Sequence, residues 1–266
     1  MKRIVWATDI HLEFVTARAV DAFCQTIAAH APDIVLLGGD TGIAPTFRSY
    51  LLRIEELLQR PIYFVLGNHD CYGGSIVGVR STAEEITNNS RWLRWLSASG
   101  VVELTPDTGL IGHDGWADGR LGSSVDSQVM LNDFLLIDEL RGQPQAELFA
   151  KLNTLGDESA DYFREHLPAA AKRFRHLLLL THVPPFKEAC WHEGRISDDE
   201  FLPHFTCRAV GGVLIEVMQE HPDCNLVVLC GHTHGPGEAQ ILSNLLVKTG
   251  GAEYGQPCVQ EMLSIH

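Results

Sequence analysis

Five short apolar segments of the chain are each followed directly by acidic, amide or histidine side chains. These segments are residues 3–8, 34–37, 62–66, 176–180 and 225–230. Short apolar runs that stop at such residues are typical of buried β-strands. Residues 15–31 and 47–59, between the first three segments, carry apolar side chains at helical spacing. Since successive segment ends are about 30 residues apart, the length of one strand–helix–strand unit, we predict parallel strands.

The rest of the chain has a weaker pattern of apolar and polar positions. A helix is predicted from a capping box at 81–84 to Gly100, and strands are predicted at 101–104 and 110–111. Helical periodicity covers residues 126–140 and 144–174, with interruptions near Gly142 and Gly156. Further predictions are a helix at 208–220, a hairpin turning at Ser243-Asn244 and a closing strand within 238–262. Residues 112–120 and 186–207 show little regular pattern and are predicted loops.

The composition excludes several classes of partner. The 266 residues are 45% hydrophobic, enough to fill a substantial core, and carry a formal net charge of -14. An acidic chain without a basic run argues against a nucleic-acid partner and against an anionic membrane. No apolar run approaches the roughly 18 residues of a membrane-spanning helix. Because we find no repeat or linker, we treat residues 1–266 as one domain.

The cysteines indicate the compartment. Seven scattered cysteines without a C-x-x-C pair argue against a disulfide framework and against a thiolate zinc site. Cys71 and Cys230 adjoin strand ends, where cysteine is usually a small buried hydrophobic residue. We therefore expect a reducing, cytoplasmic location.

The polar side chains at the strand ends have the chemistry of a metal site. In open α/β sheets, ligands bind outside the carboxyl ends of the strands, so we expect these side chains to meet. Two carboxylates, an amide oxygen and four imidazoles exceed the needs of one metal ion and divide well between two. Asp40 lies in the middle of the set, and a carboxylate can bridge two ions. The candidate ligands are Asp9, His11, Asp40, Asn68, His182, His232 and His234.

Two local patterns bear on this site. Asp9 and His11 are two positions apart, and in extended backbone such side chains project to the same side. The turn Gly67-Asn68-His69-Asp70 presents an amide, an imidazole and a carboxylate, which suit a metal ligand, a proton donor and the group orienting that donor. Taken alone, this turn is better explained by the ordinary preference of Asn and Asp for turns.

The series of motifs resembles that of the calcineurin-like metallophosphoesterase superfamily. The superfamily's motifs D-x-H, G-D, G-N-H-[DE], H and G-H-x-H occur in this order between residues 9 and 234. They are Asp9-Ile10-His11, Gly39-Asp40, Gly67-Asn68-His69-Asp70, His182 and Gly231-His232-Thr233-His234. The resemblance implies an α/β fold, namely an αββα sandwich of two mixed β-sheets flanked by helices. One departure is Ile43, which stands where many members carry a second Asp. The sequence therefore does not show which residue supports the metal ligands from behind, although metal binding itself is still expected.

The resemblance also implies a role for each motif residue. Asp9, His11, Asp40 and His234 would hold one divalent ion, and Asp40, Asn68, His182 and His232 would hold the other. A hydroxide bridging the two ions would attack phosphorus in line, while His69, oriented by Asp70, assists the leaving group. Mixed imidazole and oxygen ligands suit Mn, Fe, Zn, Co or Ni, and the sequence does not choose among them.

The implied substrate is a small phosphomonoester or phosphodiester. Two divalent ions bring +4, against -2 from Asp9 and Asp40 and -1 from a bridging hydroxide, and the residual positive charge favours an anionic ester. Loops near 112–125 and 186–207 are candidate lids or substrate-binding loops. Their candidate substrate contacts, for which satisfying the loop backbone is an equally good explanation, are His113, Trp116, Arg120, His192 and Arg195.

Two alternative functions stay open at this point. The motifs and the expected compartment are compatible with a cyclic-nucleotide phosphodiesterase, which belongs to the same class of enzyme. A non-catalytic binding scaffold is the alternative from another class, although such members usually lose ligands or the catalytic histidine. The physiological substrate, the metal, the oligomeric state and the pathway are not determined by the sequence.

Overall fold

The computed structural model describes residues 1–123 and 127–266. The strands are β1 (Lys2–Ala7), β2 (Ile34–Leu37), β3 (Ile62–Phe64), β4 (Leu93–Trp95), β5 (Val102–Thr105), β6 (Thr108–Gly112), β7 (His176–Leu180), β8 (Trp191–His192), β9 (Arg195–Ile196), β10 (Asn225–Cys230), β11 (Gly237–Leu242), β12 (Leu245–Thr249) and β13 (Glu261–Ile265). The α-helices are α1 (Ala17–Ala29), α2 (Ala44–Leu58), α3 (Ile76–Asn89), α4 (Asp133–Leu136), α5 (Gln145–Arg173), α6 (Leu202–Phe205) and α7 (Arg208–Glu220). Three of the five predicted strands, β2, β7 and β10, have the predicted bounds.

The strands form two mixed sheets and a small hairpin. The first sheet has the order β13-β1-β2-β3-β4, in which β1 to β4 are parallel and β13 is antiparallel to β1. The second has the order β11-β12-β10-β7-β6-β5, with parallel strands in the middle and antiparallel strands at both edges. The predicted parallel pairing of β1, β2 and β3 is therefore confirmed.

Each sheet buries one face against the other sheet and the opposite face against helices. Along β2, Ile34 and Leu36 belong to the apolar cluster between the sheets, whereas Val35 and Leu37 belong to the cluster under α1, α2 and α3. This alternation is expected because successive side chains of a strand point to opposite faces. On the second sheet, Leu179 packs in a separate cluster with side chains of α5 and α7. The αββα sandwich of two mixed sheets flanked by helices is thus confirmed.

The predicted helix from the capping box at 81–84 to Gly100 is wrong at both ends. The helix α3 begins earlier, because the Ser75 hydroxyl accepts a hydrogen bond from the Gly78 amide (3.0 Å) and caps it. It ends at Asn89, and the apolar residues Leu93 and Trp95 instead form strand β4 beside β3. Pairing with an existing sheet edge has overridden the local helical pattern here.

The predicted helical region 126–174 also differs from the structure. Asp126 lies outside the described residues, and the described part of 126–140 contains only the single turn α4. Gly156 does not interrupt α5, which is continuous over Gln145–Arg173. A Cβ atom at Gly156 would lie 2.5 Å from the Cβ atom of Asp118, so this glycine permits close packing rather than breaking the helix.

The predicted C-terminal helix and hairpin are confirmed, whereas the closing strand lies at Glu261–Ile265, mostly beyond the predicted range 238–262. Helix α7 has the predicted bounds in spite of its two glycines, and at Gly211 a Cβ atom would lie 2.2 Å from the Pro185 carbonyl oxygen. Strands β11 and β12 are joined at Ser243-Asn244, and β13 closes the first sheet. In the two described ranges, we find no helix that has both the length and the apolar character needed to cross a membrane.

Candidate metal centre

The candidate ligands lie just beyond the carboxyl ends of five parallel strands. Asp9 and His11 follow β1, Asp40 follows β2, and Asn68 follows β3 in the first sheet. In the second sheet, His182 follows β7, and His232 and His234 follow β10. Since both sets of strand ends meet at one edge of the sandwich, the predicted convergence is present.

The backbone at this edge is strained. Five of the candidate ligands have positive φ angles, a conformation that residues other than glycine rarely adopt. Strand β1 ends at Ala7, so the expectation that extended backbone aligns Asp9 with His11 is wrong, and two left-handed residues turn these side chains inward. The residues and angles are Asp9 (51°), His11 (41°), Asp40 (51°), His232 (70°) and His234 (58°).

Two glycines make room for the carboxylates. A Cβ atom at Gly67 would lie 2.1 Å from Oδ1 of Asp40, and one at Gly231 would lie 1.8 Å from Oδ2 of Asp9. Both distances are far below van der Waals contact. The backbone that follows β3 and β10 can therefore approach the carboxylates only because these positions lack a side chain.

A first cluster of donor atoms consists of Asp9, His11, Asp40 and His234, which each place one donor atom within 4.8 Å of the others. Nε2 of His11 lies 3.0 Å from Nε2 of His234 and 3.8 Å from Oδ2 of Asp40. Nε2 of His234 lies 3.5 Å from Oδ1 of Asp9. Such spacings suit ligands of one ion, because metal–ligand bonds of about 2.1 Å place neighbouring donors about 3 Å apart.

A second cluster surrounds the side-chain oxygen of Asn68. Oδ1 of Asn68 lies 3.1 Å from Nε2 of His182 and 3.0 Å from Nδ1 of His232. Nε2 of His182 is also 3.4 Å from Oδ2 of Asp40, so Asp40 contacts both clusters. Asp40 and His182 are each only 1% exposed, which keeps competing water away from these donors.

The hydrogen bonds behind the second cluster fix which ring atoms carry lone pairs. Nδ1 of His182 donates to the Gly38 carbonyl (2.9 Å), and Nε2 of His232 donates to the His204 carbonyl (3.0 Å), because a carbonyl only accepts. Nδ2 of Asn68 donates to Oδ1 of Asp133 (2.8 Å), which turns Oδ1 of Asn68 toward both rings. With neutral rings, three lone pairs then converge on one point. A cation fits this arrangement.

The pKa values of the two histidines differ strongly. Burial lowers the pKa of His182, but the carboxylates of Asp40 and Asp9 outweigh this effect and raise it to about 10. Burial and the neighbouring His182 lower the pKa of His232 to about 4. In the absence of an ion, one proton on His182 therefore balances part of the carboxylate charge.

Asp70 has a different place from the predicted one. Its buried carboxylate accepts hydrogen bonds from the backbone amides of Asp40 (3.0 Å), Thr41 (2.9 Å), Gly42 (3.0 Å) and Gly67 (2.8 Å). Both oxygens are therefore directed at the backbone, and the prediction that Asp70 orients the His69 ring is wrong. Asp70 instead joins the turn after β2 to the turn after β3.

His69 lies beside the first cluster and lines the cavity above it. Its backbone amide donates to Oδ1 of Asp40 (2.9 Å), and its Nδ1 lies 3.4 Å from Oε1 of Glu13. Burial lowers the pKa of His69, but Asp40 and Glu13 outweigh burial and raise it. The carboxylate beside this ring is thus that of Glu13, a residue that the sequence reasoning missed although it lies two positions after His11.

Asp133 and Tyr254 are further residues that the sequence reasoning missed. The Tyr72 hydroxyl (2.6 Å) and the Asn68 amide both donate to Asp133, which is buried on the short helix α4. The half-exposed ring of Tyr254 lies 4.7 Å from the His11 ring and 5.1 Å from the His234 ring. Neither residue is part of a motif, so only the folded chain brings them to the site.

A cavity of about 260 Å³ opens above the two clusters and includes His192 in its lining. His192 is the one predicted substrate contact found there among the described residues, and its Nδ1 donates to the Thr233 carbonyl (3.0 Å). The described lining contains no Lys or Arg. It includes Tyr72, Phe205 and Tyr254, whose aromatic rings give one side of the cavity an apolar surface.

The other predicted substrate contacts lie elsewhere. His113 is buried beside Tyr162, and burial lowers its pKa. Trp116 is buried in the apolar cluster under the first sheet. Arg120 donates both guanidinium nitrogens to Asp157 on α5 (2.7 Å each), and Arg195 is exposed outside the cavity lining. The predicted contacts in loop 112–120 therefore pack against the rest of the protein or pair with α5 and do not line the cavity.

Comparisons with known proteins agree with this architecture. One similar solved structure is a phosphopantetheinyl hydrolase from Mycobacterium tuberculosis, with a TM-score of 0.61 and 12% identity; the match covers 93% of this chain and 89% of that chain. Another is a dimetal phosphatase from Danio rerio, with a TM-score of 0.60 and 12% identity; the match covers 96% of this chain and 89% of that chain. A protein from Thermus thermophilus is also similar, with a TM-score of 0.56 and 13% identity; the match covers 94% of this chain and 89% of that chain. At such identities these likenesses show the fold alone. No curated protein matches the sequence. The sequence model of the calcineurin-like phosphoesterases matches residues 2–236, and the chain therefore belongs to the calcineurin-like phosphoesterase family.

Proposed function

We propose that this chain is a dinuclear metal-dependent phosphoesterase that hydrolyses a small phosphate ester. In this proposal Asp40 is a ligand of both ions. The remaining ligands of one ion are Asp9, His11 and His234, and those of the other are Asn68, His182 and His232. Bound divalent ions would supply Lewis-acid activation of a water molecule and of the phosphoryl oxygens.

The observation that carries the proposal is the convergence of lone pairs on Oδ1 of Asn68. Backbone carbonyls hold His182 and His232 in tautomers whose free nitrogens face this oxygen at 3.1 and 3.0 Å. When both rings are neutral, these buried acceptors have no donor between them, which is unfavourable, and without an ion the extra proton on His182 supplies that donor. A divalent ion at this point would satisfy all three acceptors, which supports binding of metal rather than a purely structural cluster.

His69 is the proposed proton donor to the leaving group. It lines the cavity but faces the carboxylate of Glu13 through Nδ1, which leaves Nε2 for the substrate. As the P–O bond breaks, its electron pair goes to the leaving oxygen, which takes the Nε2 proton. General acid catalysis of this kind typically accelerates a reaction about 10²- to 10⁴-fold.

The charges around the cavity favour a phosphodiester over a phosphomonoester. The carboxylates of Asp9, Asp40, Glu13 and Asp133 lie at the site, and no Lys or Arg is among the described lining residues. A diester places one negative charge in this environment, whereas a monoester dianion places two. The aromatic lining suits an organic group such as a nucleobase, so a cyclic-nucleotide phosphodiesterase remains the alternative within this class.

The test is metal analysis of the purified protein, followed by hydrolysis assays with added Mn. We expect two ions per chain and faster turnover of bis-p-nitrophenyl phosphate than of p-nitrophenyl phosphate. His69→Ala should keep both ions and lose at least about 100-fold in turnover of an ester whose leaving group needs protonation, such as methyl phenyl phosphate. His30→Ala, at the exposed end of α1, should keep both ions and full turnover.

Stoichiometric metal without turnover of any ester would favour the non-catalytic scaffold. If the protein does hydrolyse an ester, a panel of 3′,5′- and 2′,3′-cyclic nucleotides, nucleotides and sugar phosphates would identify the substrate class. We also keep the proposals of a single domain over residues 1–266 and of a cytoplasmic location. The latter is supported by free cysteines at all seven positions, six of them buried.

A further inference from the structure

A partly buried carboxylate, that of Glu13, lies between two imidazoles of the site. Glu13 belongs to the turn of 3-10 helix at Leu12–Phe14, directly after the D-x-H motif. Its Oε1 atom is 3.5 Å from Nδ1 of His11 and 3.4 Å from Nδ1 of His69, and its side chain is 10% exposed. Its second oxygen is buried and has no hydrogen-bond partner among the described residues. Besides the backbone of Glu13 itself, the described groups that face this carboxylate are the His69 ring, at hydrogen-bond distance, and the His11 ring, whose Nδ1 is near but forms no hydrogen bond.

The ring atoms show what such a carboxylate would do. His11 directs Nε2 at the other donors of the first cluster, so its Nδ1 is left for Glu13. The backbone amide of His69 is bound to Asp40, and the ring meets Glu13 through Nδ1. An acceptor at Nδ1 keeps the proton on that atom and fixes the role of Nε2 on the opposite side of the ring.

The position expected for a supporting carboxylate does not supply one. Ile43, where many family members carry a second Asp, is partly buried and packs against the apolar cluster under α1, α2 and α3. Asp70, the other sequence candidate, is bound to four backbone amides. Among the described residues, Glu13 is the carboxylate that contacts the His69 ring through a hydrogen bond.

We propose that Glu13 is the positioning residue for His69, and that it links this ring to His11 of the metal centre through one shared oxygen. The inference rests on the proposed function of the site. Glu13 accepts the Nδ1 proton of His69, so Nε2 is the atom that gives its proton to the leaving oxygen. After the transfer His69 is neutral, and its Nδ1 proton is still bound to Glu13.

The kinetic test uses leaving groups of different basicity. Methyl p-nitrophenyl phosphate has a good leaving group that needs little protonation, whereas methyl phenyl phosphate has a poor one. For Glu13→Gln, which keeps the size of the side chain, we expect kcat to fall about 10- to 100-fold for the phenyl ester. For the p-nitrophenyl ester we expect a fall of less than about threefold, with KM unchanged for both.

Two controls separate this role from a general effect on the site. Glu253→Gln removes a negative charge from the exposed loop next to Tyr254 and should leave both rates unchanged. In a His69→Ala background, Glu13→Gln should have no further effect, because the ring that it positions is absent. Equal losses for both esters, or additive losses in the double variant, would overturn the proposal.

A second measurement does not depend on turnover. At a pH above the pKa of His69, where the ring is neutral, nitrogen-15 NMR of the zinc-loaded and the metal-free protein should show the Nδ1-protonated tautomer, and Glu13→Ala should shift it toward Nε2-protonation. An unchanged tautomer would overturn the proposal, as would loss of a whole ion in Glu13→Gln, since Glu13 would then be a ligand. If the wild type hydrolyses no ester, the proposed function fails, but the tautomer still tests Glu13.

Discussion

The two donor clusters of the site are held in place in different ways. In the cluster around Asn68, the rings of His182 and His232 are fixed by backbone carbonyls, and the amide is fixed by the buried Asp133. In the cluster around His11, the ring faces the side chain of Glu13, and His234 is 22% exposed. The Asn68 cluster is thus preorganised by the fold, whereas the His11 cluster shares its supporting carboxylate with His69.

The largest effect is expected where the two clusters meet, at Asp40. Asp40→Ala removes the carboxylate that contacts His11 on one side and His182 on the other. We expect both ions to be lost and turnover to fall by more than about 10⁴-fold, because the general acid alone cannot replace metal activation. Inductively coupled plasma mass spectrometry measures the metal content. Normal metal binding by this variant would refute the bridging role.

A matched pair of variants separates the two clusters. Asn68→Ala removes the oxygen between His182 and His232, and His234→Ala removes a ring from the other cluster. Each variant should lose one of two ions, with an affinity at least about 100-fold lower at the altered cluster. Calorimetric titration with Mn measures both sites. If either variant lost both ions, the two clusters would not be separate sites.

A smaller effect is expected at Asp133, which holds the Asn68 amide without belonging to a cluster. Asp133→Asn no longer guarantees an acceptor for Nδ2 of Asn68, so the amide can turn its oxygen away from the rings. We expect affinity for the second ion to fall about 10- to 100-fold, with the first ion unaffected. Asp138→Asn, a surface residue paired with Arg141 on the following turn, is the matched control and should bind both ions normally.

The mildest test is the pH dependence of metal binding at the Asn68 cluster. Asp40 and Asp9 overcome the effect of burial and raise the pKa of His182 to about 10, so at pH 7 the metal-free ring is protonated. Because an ion must displace this proton, its apparent affinity should rise about tenfold per pH unit up to pH 9 and level off near 10. Calorimetry in two buffers of different ionisation enthalpy should show about one proton released. Release of no proton would contradict the raised pKa.

The sequence was sufficient for the five strands that end at the site and for the donors that follow them, because a buried strand leaves a local pattern and the motifs lie at its end. It was not sufficient for Asp70, whose four partners are backbone amides without a sequence signature. Glu13 and Asp133 were missed because each acts through a contact made only in the folded chain. Arg120 was misassigned because its acidic partner, Asp157, is 37 residues away along the chain.

The glycines that begin two of the motifs have a practical consequence for anyone redesigning or searching for this site. A methyl group at Gly67 or Gly231 would overlap a carboxylate oxygen of Asp40 or Asp9, respectively. An alanine at either position would therefore push a metal donor aside while leaving every donor in the chain. Sequence searches that score only aspartates, asparagines and histidines would accept such a sequence, although the added methyl group would displace a carboxylate from the position where it could bind an ion.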